Sequence, residues 1–215
     1  MLKVERFINE LMTSNCYVVY DEDTKRCIVI DPASEKSLRE IHFIKEKGLA
    51  LDYIIITHEH TDHNWGVNAL REHFPDSKLV CSEPCNRYVK KTNRAYFLYY
   101  YDNPDYRYEI VPADILIKED GCLNWSRHQI QFVMTPGHSY GSMCFCIDGM
   151  LFTGDTMMPF KPYFNGRDSN DGDWNKSANL IKSHFPKKTI IYPGHGESLT
   201  LGDWIENNKQ LLYGK

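Results

Sequence analysis

The chain has 215 residues, 42% of them hydrophobic and 25% charged, with a formal net charge of −4. That length supports one domain with a substantial core, and the mild acidity argues against a global attraction to nucleic acid or anionic membrane. No apolar run reaches the roughly eighteen residues of a membrane span, and "MLKVERFINELM" lacks the apolar core of a signal peptide.

The expectation is therefore a soluble, cytoplasmic protein folded as a single domain over 1–215. Seven cysteines at 16, 27, 81, 85, 122, 144 and 146 make an odd set, several lying in apolar runs such as "CFCI". They read as small buried hydrophobes in a reducing compartment. "CSEPC" lacks the second Cys/His pair of a structural zinc module.

In chain order, "NCYVVY" and "RCIVID" are β-branched runs around the polar turn "DEDTK", which predicts a hairpin. "SEKSLREIHFIKEKG" places Leu38, Ile41 and Ile44 on one helical face, with Ser34 as N-cap and Gly48 as stop. "LDYIIIT" reads as a strand buried on both faces. A second helix follows in "GVNALREHF", with Val67, Leu70 and Phe74 at helical spacing, and "KLVCS" is a short strand.

Seven of the fourteen tyrosines fall between 88 and 108, in "YVKKTNRAYFLYYYDNPDYRY". "DILI", "QIQFVMT" and "MCFCIDGMLFTGD" are strand-like, with Asp148-Gly149 as a tight hairpin turn. A helix presents Trp174, Ala178, Ile181 and Phe185 on one face, the strand "TIIYP" follows, and Thr200 caps a last helix in "DWIENNKQLL". There is no internal repeat or low-complexity linker. Two packed sheets with outer helices would bury these elements, as would several other α/β or α+β arrangements.

Chemistry concentrates in "THEHTDHNWG", where three of nine histidines and two acids occupy six positions after a strand. Three other segments share one form, a β-like run ending in a glycine turn that carries a potential ligand. They are "FVMTPGHSYGS" with His138, "LFTGDTM" with Asp155 and "IIYPGHGES" with His195. Loop punctuation explains these glycines but not the donors beside them. Isolated His42, His73, His128 and His184 read as surface or core residues.

Imidazole and carboxylate suit zinc, iron or manganese. His58 and His60 alternate along an extended segment, after which the chain turns and presents Asp62 and His63. Seven donors exceed the needs of one tetrahedral ion; they suit two divalent ions sharing one carboxylate, zinc first, with iron or manganese as alternatives.

Together, "THEHTDH", "TPGHSYGS", "FTGDT" and "YPGHGE" resemble the metallo-β-lactamase superfamily, closest to its glyoxalase-II-like (hydroxyacylglutathione hydrolase-like) branch. The resemblance runs from "NCYVV…VIDP" to "PGHGE", with the Tyr-rich insertion around 88–108 as its gap. It implies an α/β fold, an αββα sandwich of two mixed β-sheets packed face to face with helices on both outer sides. It also implies His58, His60 and His138 on one metal, Asp62, His63 and His195 on the second, Asp155 bridging, and Asp62 orienting the nucleophile.

The implied activity is hydrolysis of an ester or thioester of a small molecule by a metal-bridged hydroxide. Alternatives are a mononuclear iron persulfide dioxygenase-like enzyme using His58, His138 and Asp155, or a phosphodiesterase or lactonase of the same superfamily. Only twenty residues follow His195, so the helical C-terminal domain with which glyoxalase II helps bind glutathione is not expected. Substrate contacts would come from Tyr140, Arg167, Tyr99, Tyr100 and Tyr101. The aromatic segment reads first as a core or homodimer-interface cluster, then as a wall over the metals, and last as a surface for single-stranded nucleic acid.

Overall fold

In the computed structural model, residues 1–101, 108–162, 164 and 168–209 are described, with the backbone alone over 94–101. The chain divides into two compact units, Met1–Leu116 and Ile117–Lys215.

The first unit carries β1 (Leu2–Ile8), β2 (Asn15–Asp21), β3 (Arg26–Ile30), α1 (Leu38–Glu46), β4 (Ala50–Ile55) and a single 3-10 turn, Thr61–His63. It continues with α2 (Val67–His73), β5 (Lys78–Ser82), α3 (Glu83–Tyr101) and β6 (Ile115–Ile117). Its six strands lie in sequence order. The hairpin pairs β1, β2 and β3 antiparallel, whereas β3, β4 and β5 run parallel. Parallel neighbours need a crossover, which α1 and α2 provide.

Alternation decides which side chains meet these helices. Cys16, Val18 and Tyr20 of β2, Cys27 and Val29 of β3, and Leu79 and Cys81 of β5 share one core with Ile41, Ile44, Val67, Leu70 and Cys85 of the helices. All seven residues of β2 are buried, as expected of a central strand.

The start of α1 differs from expectation. Ser34 is not the cap: the helix begins at Leu38, after Ser37 in a left-handed conformation with φ 43°. Residues 32–37 are instead wrapped against Gly66, whose N–H donates to the Pro32 carbonyl at 2.8 Å, while Ser37 Oγ donates to Gly66 O at 3.3 Å. Leu38 is consequently 63% exposed, and Glu40 takes an inward position. Phe74 ends α2 rather than extending it, serving as its C-cap.

The second unit contains β7 (Gly121–Trp125), β8 (His128–Met134), β9 (Met143–Ile147), β10 (Met150–Gly154), α4 (Asp171–His184), β11 (Ile190–Pro193), β12 (Leu199–Thr200) and α5 (Leu201–Asn207). Its sheet has the order β12-β11-β10-β9-β8-β7. Every pair is antiparallel except β10/β11, which α4 connects. Asp148 and Gly149 both have positive φ, 49° and 80°, as a two-residue hairpin with matched twist requires.

Trp174, Ala178, Ile181 and Phe185 form the buried stripe of the α4 segment, against Val133, Cys144, Leu151 and Ile191 of the sheet. Asn170 and Thr200 cap α4 and α5 by accepting the Asp173 and Asp203 N–H groups at 2.9 and 3.0 Å. Among the described residues no helix is long and apolar enough to cross a membrane.

All seven cysteines are free thiols, five of them buried. Burial pushes Cys144 up to about 12 and raises Cys27 and Cys16 as well, so these thiols stay protonated. Cys81 and Cys85 belong to the helix-side core of the first unit.

Candidate metal centre

In the first unit the strand β4 delivers the motif directly. His58, His60, Asp62 and His63 follow its end, and the 3-10 turn folds the last two back. The imidazole of His58 lies 4.6 Å from that of His60 and 4.2 Å from that of His63, centroid to centroid. His63 Nε2 stands 3.6 Å from Asp62 Oδ2.

A carboxylate that the motif does not contain orders these rings. Asp31, at the end of β3, sits 2 % exposed with φ 50°. Its Oδ2 is 2.9 Å from His63 Nδ1 and accepts the Thr57 hydroxyl at 2.7 Å, while Oδ1 accepts the Thr57 N–H at 2.8 Å. With its proton given to Asp31, Thr57 Oγ1 is left to accept from His58 Nδ1, at 3.0 Å. Both rings therefore hold a proton on Nδ1 and carry the Nε2 lone pair as the ligand atom. Metal-binding histidines are commonly fixed in this way by an outer partner. The donor set and its tautomers fit a divalent ion.

The turn is buttressed from behind. Thr61 Oγ1 donates to Asn93 Oδ1 at 2.7 Å, Asn93 Nδ2 donates to Asn64 Oδ1 at 2.9 Å, and Asn64 Nδ2 donates to the His60 carbonyl at 2.7 Å. Tyr108 Oη donates to Asn64 O at 2.6 Å, and Ser14 Oγ donates to Asp62 O. Thr61 thus points away from the ligand side, as a spacer should. The described part of the Tyr-rich segment acts here through Asn93 and Tyr108.

In the second unit the three glycine turns converge. His138 Nε2 lies 3.4 Å from Asp155 Oδ2, and His195 Nε2 lies 3.6 Å from the same oxygen. The backbone binds the turns together: Gly194 N–H donates to Gly154 O at 2.8 Å, and the hydroxyls of Thr135 and Thr156 are 3.1 Å apart. Gly137, with φ 141°, lies so close to α4 that a Cβ there would overlap the backbone of Trp174. Gly196, with φ 83°, packs on Pro159.

Each unit therefore gathers its own share of the predicted donors, four in the first and three in the second. Tyr140, two residues past His138, is 51% exposed. Arg167 and the side chains of Tyr99, Tyr100 and Tyr101 lie outside the described residues. Of the isolated histidines, His128 pairs with Asp148 at 2.8 Å and His42 with Glu46 at 3.6 Å, as surface partners. Asp31 was legible only as an acid ending an apolar strand before proline.

The profile of the Metallo-beta-lactamase superfamily matches residues 10–195. The chain belongs to this superfamily. Within it, similarity extends to a "Probable polyketide biosynthesis zinc-dependent hydrolase BaeB" of Bacillus velezensis, 28% identical, over 93% of this chain and 80% of that one. "Persulfide dioxygenase ETHE1, mitochondrial" of Mus musculus is 27% identical, over 83% of this chain and 62% of its own length. A hydroxyacylglutathione hydrolase of Buchnera aphidicola is 25% identical, over 90% of this chain and 66% of that protein.

Among solved structures, the BLEG-1 B3 metallo-beta-lactamase superposes with a TM-score of 0.87 at 24% identity, covering 99% of this chain and all of that one. The metallo-β-lactamase fold, two mixed sheets with helices, is thereby shown. The expected glyoxalase-II-like kinship holds at modest identity. Superfamily relatives include both hydrolases and dioxygenases.

Proposed function

We propose that the protein is a dinuclear metal-dependent hydrolase acting on a small ester or thioester. His58, His60 and His138 would hold one ion and Asp62, His63 and His195 the other, with Asp155 bridging. When bound, such ions supply Lewis acidity that polarises the scissile carbonyl and brings the pKa of a water to about 7. The observation carrying this reading is the Asp31–Thr57 arrangement, which leaves Nε2 of both His58 and His63 as the donor atom.

The chain's own residues have separate roles. Asp31 keeps the two rings in one tautomer, while Asp62, beside His63, would orient the attacking water and take its proton. Zinc is the first choice of metal, in keeping with the zinc-dependent relative; iron or manganese would suit the same donors. Tyr140, exposed two residues past His138, would contact the substrate. Residues 1–215 are taken as one functional domain.

Elemental analysis with a substrate panel tests the proposal. Two metal ions per chain and turnover of a thioester or ester are expected, with Asp155→Ala removing activity. One iron per chain with oxygen consumption would establish instead the persulfide dioxygenase-like reading, which similarity to that enzyme favours. Turnover confined to a lactone or phosphodiester would reassign the substrate class. Metal-replete protein inert on every panel member would overturn hydrolysis.

A further inference from the structure

The second unit contains a fixture that no ligand motif includes. Trp174, in the first turn of α4, is 1% exposed, and its indole N–H donates to the Thr156 carbonyl at 2.7 Å. Thr156 follows Asp155 directly. The backbone of the same residue lies against Gly137, which precedes His138 and has no room for a Cβ on that side.

Neighbouring bonds repeat the link. Asn170 N–H donates to Gly137 O at 2.7 Å, and Ser177 Oγ donates to Pro136 O at 2.7 Å. The start of α4 thus grips the His138 turn through Asn170 N–H, the Trp174 backbone and Ser177 Oγ, and the Asp155 turn through the Trp174 indole. Removing that indole N–H would release the Asp155 turn from α4, leaving its bonds to the neighbouring turns intact and the ring in the core.

We infer that Trp174 is a positioning residue that sets Asp155 relative to His138 for metal binding. The inference rests on the proposed metal site. Trp204 offers a matched comparison: it is also 1% exposed, and its indole N–H donates to the Met158 carbonyl at 2.7 Å, three residues beyond Asp155. Both W174F and W204F delete one buried indole bond to a loop carbonyl, so a purely structural role predicts equal effects.

The test measures zinc affinity by competition with a chromophoric chelator, and the d–d absorption of the cobalt-substituted protein, in parent and both variants. W174F is expected to bind zinc about ten-fold more weakly, the scale of a lost outer-sphere partner, with an altered cobalt spectrum. W204F, which also loses one buried indole bond, should keep the parent's zinc affinity and cobalt spectrum. Equal affinities and spectra in W174F and W204F would overturn the inference. If W174F does not fold, S177A loosens the same His138 turn from α4 and must weaken zinc binding; unchanged affinity would again overturn it. Parent protein that takes up no metal would overturn the proposed function itself, and this inference with it.

Discussion

At the scale of single residues, the informative side chains are acids placed where water cannot reach them. Asp31 is buried but fully engaged, bonding His63 and Thr57. Asp31→Asn keeps the shape but cannot accept from all three donors, so metal affinity should fall by about 10- to 100-fold, measured by chelator competition. Unchanged affinity would remove Asp31 from the machinery. Glu40 is the opposite case: it is buried on α1, and neither carboxylate oxygen bonds another residue. Burial raises its pKa above the usual 4.5, outweighing the pull of Arg39.

The folded state therefore keeps the Glu40 proton to higher pH than the unfolded chain does. Stability is full below the unfolded pKa and declines as pH rises from there through the raised value. Glu40→Gln should stabilise the protein at pH 8, where the parent must bury a charge or take up a proton on folding, and change it little near pH 4. Urea titrations at the two pH values would reveal the difference; an equal gain at both would refute the assignment.

Among the elements, the connections carry more than the helices and strands they join. Gly66 illustrates why α1 begins late. A Cβ at this position would overlap Ser37 Oγ and stand 2.6 Å from the Ser34 carbonyl, although its φ of −90° would suit any residue. The constraint is close approach rather than backbone strain, and the segment before α1 has folded around it. Gly66→Ala should cost about 1–3 kcal/mol by overpacking, read as a lower denaturation midpoint. Because Gly66 closes the turn holding His63 and Asn64, metal affinity should fall as well; a variant matching the parent in both would show the packing to be yielding.

Across the whole molecule, metal binding should be linked to stability. Any ion held only by the folded state adds about 2.7 kcal/mol per site at a hundred times its Kd. Zinc-replete protein should therefore melt well above chelator-treated protein, whereas coincident transitions would count against a bound ion. Much of this was legible beforehand. The ligand turns announce themselves locally, each a strand end, a glycine and a donor, and α4, α5 and the Asp148-Gly149 hairpin follow from periodicity and turn chemistry.

What escaped the sequence lies in other physics. β1 and β7 flank their sheets and are neither strictly alternating nor continuously apolar: "LKVERFI" sets Glu5-Arg6 and Phe7-Ile8 side by side and "GCLNW" opens on glycine, which blurs the strand signal. Asp31, Asn93, Tyr108 and Trp174 act through partners about 18 to 44 positions away, so no window of sequence displays them. Residues that bind are local in pattern; residues that hold them are not.

Trp174 has one more use. An indole whose N–H is pinned to the carbonyl beside Asp155 is a fluorophore wired to the site, and its emission would register the Asp155 turn tightening. The difference in fluorescence between the parent and W174F, compared metal-free and with each saturated in zinc, would then isolate that single ring from Trp65, Trp125 and Trp204, giving a reporter of occupancy without any added dye.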